Sequence, residues 1–132
     1  MTHDNINKLF YLARYHFEAH TKLSTENVKL KIANDDWFEV HIEMCNFNEN
    51  IIATMDSRGN GTYIMRIRES AITTSERLFI HMLHELCHIY HTPHNNEFYN
   101  LLKQTGVIIG ERVGHEDYRY EYTSPIITNT LS

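Results

Sequence analysis

Cysteine is scarce in this sequence. Cys45 and Cys87 are the only two, too few for a disulfide framework, and no C-x-x-C pair occurs that could serve a metal ribbon or a redox site. Long apolar runs are missing as well. Nothing approaches the stretch of about 18 apolar residues that a membrane helix needs. The start, Met1-Thr2-His3-Asp4, shows no basic segment followed by an apolar one, as a signal peptide would. Together these absences predict a protein of a reducing, intracellular compartment with no membrane partner. Positive charge is also in deficit: the formal net charge is −5 and the isoelectric point about 6.0. Affinity for nucleic acid comes mainly from neutralising phosphates, so net charge does not support a nucleic-acid partner. No repeat, linker or low-complexity tract divides the 132 residues, which predicts one domain over 1–132.

Histidine, by contrast, is abundant. There are 10, against 12 Lys and Arg together. Imidazole binds metals and titrates near neutral pH, so the positions of these residues carry the question of function.

Hydrophobic periodicity predicts an α+β fold. Asp4 is a candidate cap for a first helix to about residue 20, with Ile6, Leu9, Phe10, Ala13 and Phe17 on one stripe. Val28 to Ala33 alternates as a strand does. Asn34-Asp35-Asp36 reads as a turn, and Trp37 to Met44 as a second strand with Phe38, Val40, Ile42 and Met44 on one face. Ile51 to Met55 reads as a third strand. The turn-forming run 57–61 joins it to a return strand, Thr62 to Arg68, so the sheet is expected to be mostly antiparallel. Thr73 with Glu76 forms a capping-box pattern for a helix over about 74–91, ended by Thr92-Pro93. A further helix is expected over about 95–104, with Gly106 near its end. Residues 115–132, polar and rich in tyrosine, read as a partly ordered tail.

Within the long helix stands His84-Glu85-Leu86-Cys87-His88, an H-E-x-x-H motif. Four residues are slightly more than one helical turn, so the two imidazoles project from one face and can share an ion. Glu85 lies beside them, placed to take a proton from water activated by zinc as that water attacks a carbonyl. His94 follows His84 by ten residues, just past Pro93. A chain that turns there can bring His94 back as a third ligand and leave one position open, the pattern of a catalytic site. Glu111 or His115 is the alternative third ligand. His81 and His91 share the stripe of His84 and His88 and border the same side. His3, His16, His20 and His41 read as surface or boundary residues, and Cys87 as a core residue.

The segment Leu83 to Leu102, LHELCHIYHTPHNNEFYNLL, resembles the core of the SprT-like zinc metallopeptidases and the related WLM proteases. These carry H-E-x-x-H on one helix and a His followed closely by an aromatic residue on the next, as in His94-Asn95-Asn96-Glu97-Phe98. The resemblance spans about residues 5–106. It implies a zincin-like minimal metallopeptidase domain: His84, His88 and His94 hold Zn2+, Glu85 is the general base, and the substrate is a protein or peptide. The strand Thr62–Arg68 would lie beside the metal and pair with the extended substrate. Tyr63 and Arg66 on it, His91 and Tyr118 are candidate substrate or transition-state contacts. Asn95 stands where the SprT-like group has Gly. No cysteine ribbon and no long basic segment is present, which argues against substrates held on DNA.

Two other readings belong beside this one. The three-histidine spacing also occurs in metal-dependent endoribonucleases of the YbeY type, which lack a Glu after the first His. A non-catalytic zinc-binding interaction module would keep the ion and no turnover.

Overall fold

The computed structural model describes residues 1–45, 51–71, 74–112, 118–121, 126–127 and 130. The chain is a small α+β fold. In order it runs α1 (His3–Thr21), β1 (Val28–Ala33), α2 (Asp35–Cys45), β2 (Ala53–Ser57) and β3 (Tyr63–Arg68). A short 3-10 turn, Glu69–Ala71, leads on to α3 (Ser75–Cys87), α4 (Asn96–Gln104), β4 (Ile108–Arg112) and β5 (Tyr118–Glu121).

The first helix is capped two residues earlier than expected, by Thr2 in place of Asp4. Thr2, in extended conformation, accepts from the Asn5 amide, and Asp4 sits in the first turn, where a carboxylate meets the positive end of the helix dipole. Ile6, Leu9, Phe10, Ala13 and Phe17 are buried, as the stripe requires.

The expected strand over 37–44 is a helix, α2. Asn34 is its cap rather than a turn residue: its Oδ1 accepts from the Trp37 amide at 3.1 Å, and Asp35 and Asp36 occupy the first turn. Burial follows the helical period. Phe38 is fully buried, Trp37, His41 and Ile42 are partly buried, while Val40 is 52 % and Met44 77 % exposed.

The three-stranded sheet is mixed, and this corrects the antiparallel expectation. β3 lies in the middle, parallel to β1 (Val28 opposite Tyr63, Ala33 opposite Arg68) and antiparallel to β2 (Ala53 opposite Ile67, Ser57 opposite Tyr63). The β2–β3 connection passes through Gly59 and Gly61 at φ +84° and +81°, a conformation in which a Cβ would be strained. Side chains alternate across β3. Met65 and Ile67 join Ile6, Phe10, Phe17, Leu78, Phe79, Met82, Leu83 and Leu86 in one hydrophobic core, so α1 and α3 cover that face. Arg66 and Arg68 point the other way, under α2: their guanidiniums lie 4.6 Å from the Trp37 ring and 5.7 Å from the Phe38 ring. Asp56 pairs with Arg66, and Asp35 with Arg68.

α3 starts at a different threonine from the one expected. Thr74 is the cap, its hydroxyl accepting from the Arg77 amide at 3.1 Å; Thr73 lies outside the described residues. The helix also ends sooner, at Cys87 rather than near His91. From there the amides of His88, Ile89 and Tyr90 bond back three residues, to Glu85, Leu86 and Cys87, a tightening into 3-10 geometry that precedes Pro93 by several residues. α4 follows its expected course, capped by Asn95, and Gly106 follows it at φ +92°.

The segment expected as a tail is partly built into the fold. β5 pairs with β4 in a two-stranded sheet, and Ile127 is fully buried in the core. His16, expected near the surface, is only 3 % exposed. Its Nε2 donates to the Thr105 carbonyl at 2.6 Å, its Nδ1 meets the Thr130 hydroxyl at 3.1 Å, and its ring lies edge-on to Phe79. Desolvation holds this imidazole below its ordinary pKa of 6.5. The Thr105 bond opposes that shift and the neighbouring His20 adds to it. A depressed folded value means that the unfolded chain takes up a proton first as pH falls. The stability His16 contributes is therefore complete above 6.5 and lost between 6.5 and its lower folded value. Urea titrations of wild type and His16→Gln at a series of pH values should show this: the wild-type midpoint falls across that window, and the part due to His16 is missing from the variant. Parallel curves would refute the assignment.

Candidate metal centre

α3 carries its apolar face, Leu78, Phe79, Met82, Leu83 and Leu86, into the core. This leaves His84, Glu85 and His88 toward the edge where the helix stops. The early stop matters for the site. Because the chain tightens at 88–90 instead of continuing, it turns back within a few residues, and Asn95 starts α4 with His94 directly before its cap.

His94 is thereby returned to the other two histidines. The three Nε2 atoms stand 3.2 Å (His84 to His88), 3.1 Å (His84 to His94) and 2.9 Å (His88 to His94) apart. Three nitrogens bound to one tetrahedral zinc at 2.0–2.1 Å would lie about 3.3 Å from one another. The observed triangle is slightly tighter than that.

Proton accounting shows that the triangle suits a cation. A neutral imidazole nitrogen is either a donor or an acceptor, never both. Among three nitrogens in mutual contact, at least one pair must therefore be alike and repulsive. The His91 carbonyl receives the Nδ1–H of His88 at 3.1 Å, which fixes the tautomer and leaves the His88 Nε2 with a lone pair. One cation facing three lone pairs removes the conflict. His84 is 9 % exposed, and burial, then the charges of His88, His94 and His81, hold it well below 6.5. It is thus kept neutral, the form that ligates metal. Among the described residues, this is the one cluster of three or more His, Cys, Asp or Glu side chains arranged to hold an ion.

Phe98 completes the geometry. Its ring centroid is 4.8 Å from that of His84, 4.6 Å from His88 and 4.9 Å from His94, and the residue is fully buried. One aromatic ring backs all three imidazoles. Phe98 lies one helical turn beyond His94 and is the aromatic residue that the resemblance placed after the third His.

Glu85 is 9 % exposed. Burial, with the charge of Asp56 adding to it, pushes its carboxyl up to about 8 in the metal-free chain. Asp56, on β2, was not singled out by sequence reasoning. A cation near the carboxylate would act in the opposite direction and favour its charged form.

The remaining candidates fall elsewhere. His91 contributes its carbonyl to His88, while its ring faces Glu97 at 3.6 Å. Arg66 is 8 % exposed and pairs with Asp56 beneath Trp37, so it is packed under α2. Tyr63 packs against the core. The side chains of Tyr118 and Glu111, and all of His115, lie outside the described residues. Thr62–Arg68 was expected to pair with substrate, but both edges of β3 are taken by β1 and β2. Among the described residues β2 stands at an edge of the sheet, and its Asp56 is close enough to influence the Glu85 carboxyl. Cys87 is fully buried, and its thiol is pushed far from reactivity by desolvation.

No curated protein and no solved structure matches this sequence. The sequence profile of the WLM domain does, over residues 31–112, which takes in the end of β1, the whole three-histidine cluster and β4. Since that match spans more than half of the sequence and includes every residue of the cluster, the chain belongs to the WLM domain family.

Proposed function

We propose that the chain is a zinc-dependent metallopeptidase of zincin type, with His84, His88 and His94 as ligands and Glu85 as general base. The observation that carries the proposal is the convergence of three Nε2 atoms within 3.2 Å beside a buried carboxylate. The WLM family, a family of zincin-like proteases, supplies the context. Zinc held there would supply Lewis acidity, polarising the scissile carbonyl and acidifying water at the open position. The chain's own work is proton transfer and placement. The Glu85 carboxylate accepts a proton from the attacking water and returns it to the leaving amide nitrogen. The buried surroundings of Glu85 keep competing water away from that proton. An extended peptide adds to β2, the edge strand among the described residues, by main-chain hydrogen bonds.

Metal removal tests the proposal. The purified chain should hold one zinc and cleave an unfolded protein such as casein. Chelation should abolish cleavage, and added zinc should restore it to wild type but not to His94→Ala. Cleavage that survives complete zinc removal would sink the reading.

A further inference from the structure

Between the end of α3 and the cap of α4, the chain passes through a short surface stretch. Thr92 to Glu97 are all exposed. Yet this stretch must hold two things to within a few tenths of an ångström: the His94 ring, and the His91 carbonyl that orients His88. Two residues of the turn before it reach the body of the protein: Ile89 packs against the core, and Tyr90 makes a directed polar bond. Its side chain leaves the turn on the side of α1 and β1. There its hydroxyl donates to the Ser24 carbonyl at 2.6 Å, and its ring lies nearly parallel to the fully buried Phe17 ring at 6.4 Å. Tyr90 is nonetheless 39 % exposed, so burial alone does not hold it, and the hydroxyl bond fixes where the ring ends.

We propose that Tyr90 is a positioning residue of the metal centre, acting through the backbone. Anchored to Ser24, it fixes the peptide unit that leads into His91. The His91 carbonyl, one peptide unit further on, then stays in line with His88 Nδ1–H, and the turn delivers His94 to the other two histidines. The proposal rests on the three-histidine reading of the metal centre and adds to it the residue that keeps the ligand loop in register. Partners that orient metal ligands change metal affinity by about 10- to 100-fold when removed. Tyr90 acts one step further out, so the lower end of that range, about tenfold, is expected.

Tyr90→Phe keeps the ring over Phe17 and removes only the bond to Ser24. The zinc Kd of the full chain is measured by competition with a chelator, for wild type, Tyr90→Phe and Thr105→Val. The last variant deletes a comparable hydroxyl-to-carbonyl bond, from Thr105 to Leu102 at 2.6 Å, at the end of α4. The expected result is about tenfold weaker binding and faster zinc release in Tyr90→Phe, with Thr105→Val at the wild-type value. Equal affinity in wild type and Tyr90→Phe would overturn the inference. So would an equal loss in Thr105→Val, because a general loosening of the fold would then explain both. A wild-type chain that takes up no zinc would overturn the three-histidine reading itself, and this inference with it.

Discussion

Glu85→Gln should lower kcat for peptide cleavage by about a hundredfold to ten-thousandfold while zinc content stays at one per chain. The amide has the shape of the carboxylate and can fill the same space, but it cannot accept the proton of the attacking water. Its neighbours His84 and His88 keep their geometry, because neither depends on Glu85 for its ring position: His88 is oriented by the His91 carbonyl, and both rings rest on Phe98. Burial pushes the Glu85 carboxyl up to about 8 in the zinc-free chain, so at neutral pH folding must neutralise a group that is ionised in the unfolded chain, a cost that an amide does not carry. The zinc-free variant should therefore unfold at a midpoint no lower than wild type, so that lost activity is not lost folding. Zinc analysis, steady-state cleavage and a melting curve on the same preparations decide it. Wild-type turnover in a zinc-loaded Glu85→Gln protein would remove the glutamate from the mechanism.

Phe98→Ala should be the most damaging single change outside the ligands. The ring is fully buried and touches three imidazoles as well as Tyr99, at a centroid distance of 5.2 Å. Truncating a buried phenylalanine to alanine costs about 3–5 kcal/mol, a large share of the roughly 5–15 kcal/mol that holds a typical domain together. The loss has a second effect at this position. The three rings would keep their tethers on α3 and on the turn before α4, but lose the surface that sets their tilt. Urea unfolding of the zinc-free chain should show the stability loss, and zinc affinity should fall with it. Phe98→Leu should lie between, since it restores volume without a flat face. An Ala variant with unchanged zinc affinity would show that the ring packs the core and does not support the centre.

The centre was legible in the sequence because its spacing obeys helix geometry: His84 and His88 share a face one turn apart, and a break after them lets His94 return. What the spacing could not convey was the support. The resemblance marked Phe98 as the aromatic residue after the third His but not its contact with all three imidazoles, and Tyr90 was not singled out. Asp56 is distant in sequence from Glu85, which it influences.

The fold was legible in part, and α2 shows why. Phe38 and Ile42 are four residues apart, a spacing shared by a strand of period 2 and a helix of period 3.6. The choice therefore fell on the other positions. Val40 and Met44 are more apolar than His41, which favoured a strand. The capping Asn34 and the chance to lay Trp37 over Arg66 decided for a helix. Arg66, a candidate substrate contact by its place on the strand, has its guanidinium against Trp37 of α2, as Arg68 has against Phe38.

The order β1-β3-β2 has a consequence for the order of events as the chain is synthesised. Both neighbours of the central strand precede it, so β1 and β2 emerge from a ribosome with their shared partner not yet made. No ladder of this sheet can form until residues 63–68 are free, and α3 follows within a few residues of them. The helix that bears His84 and His88 therefore appears just as the surface it packs on is completed. Sheet closure and assembly of the metal centre are bound into one late step, and a nascent chain stopped before β3 would have neither.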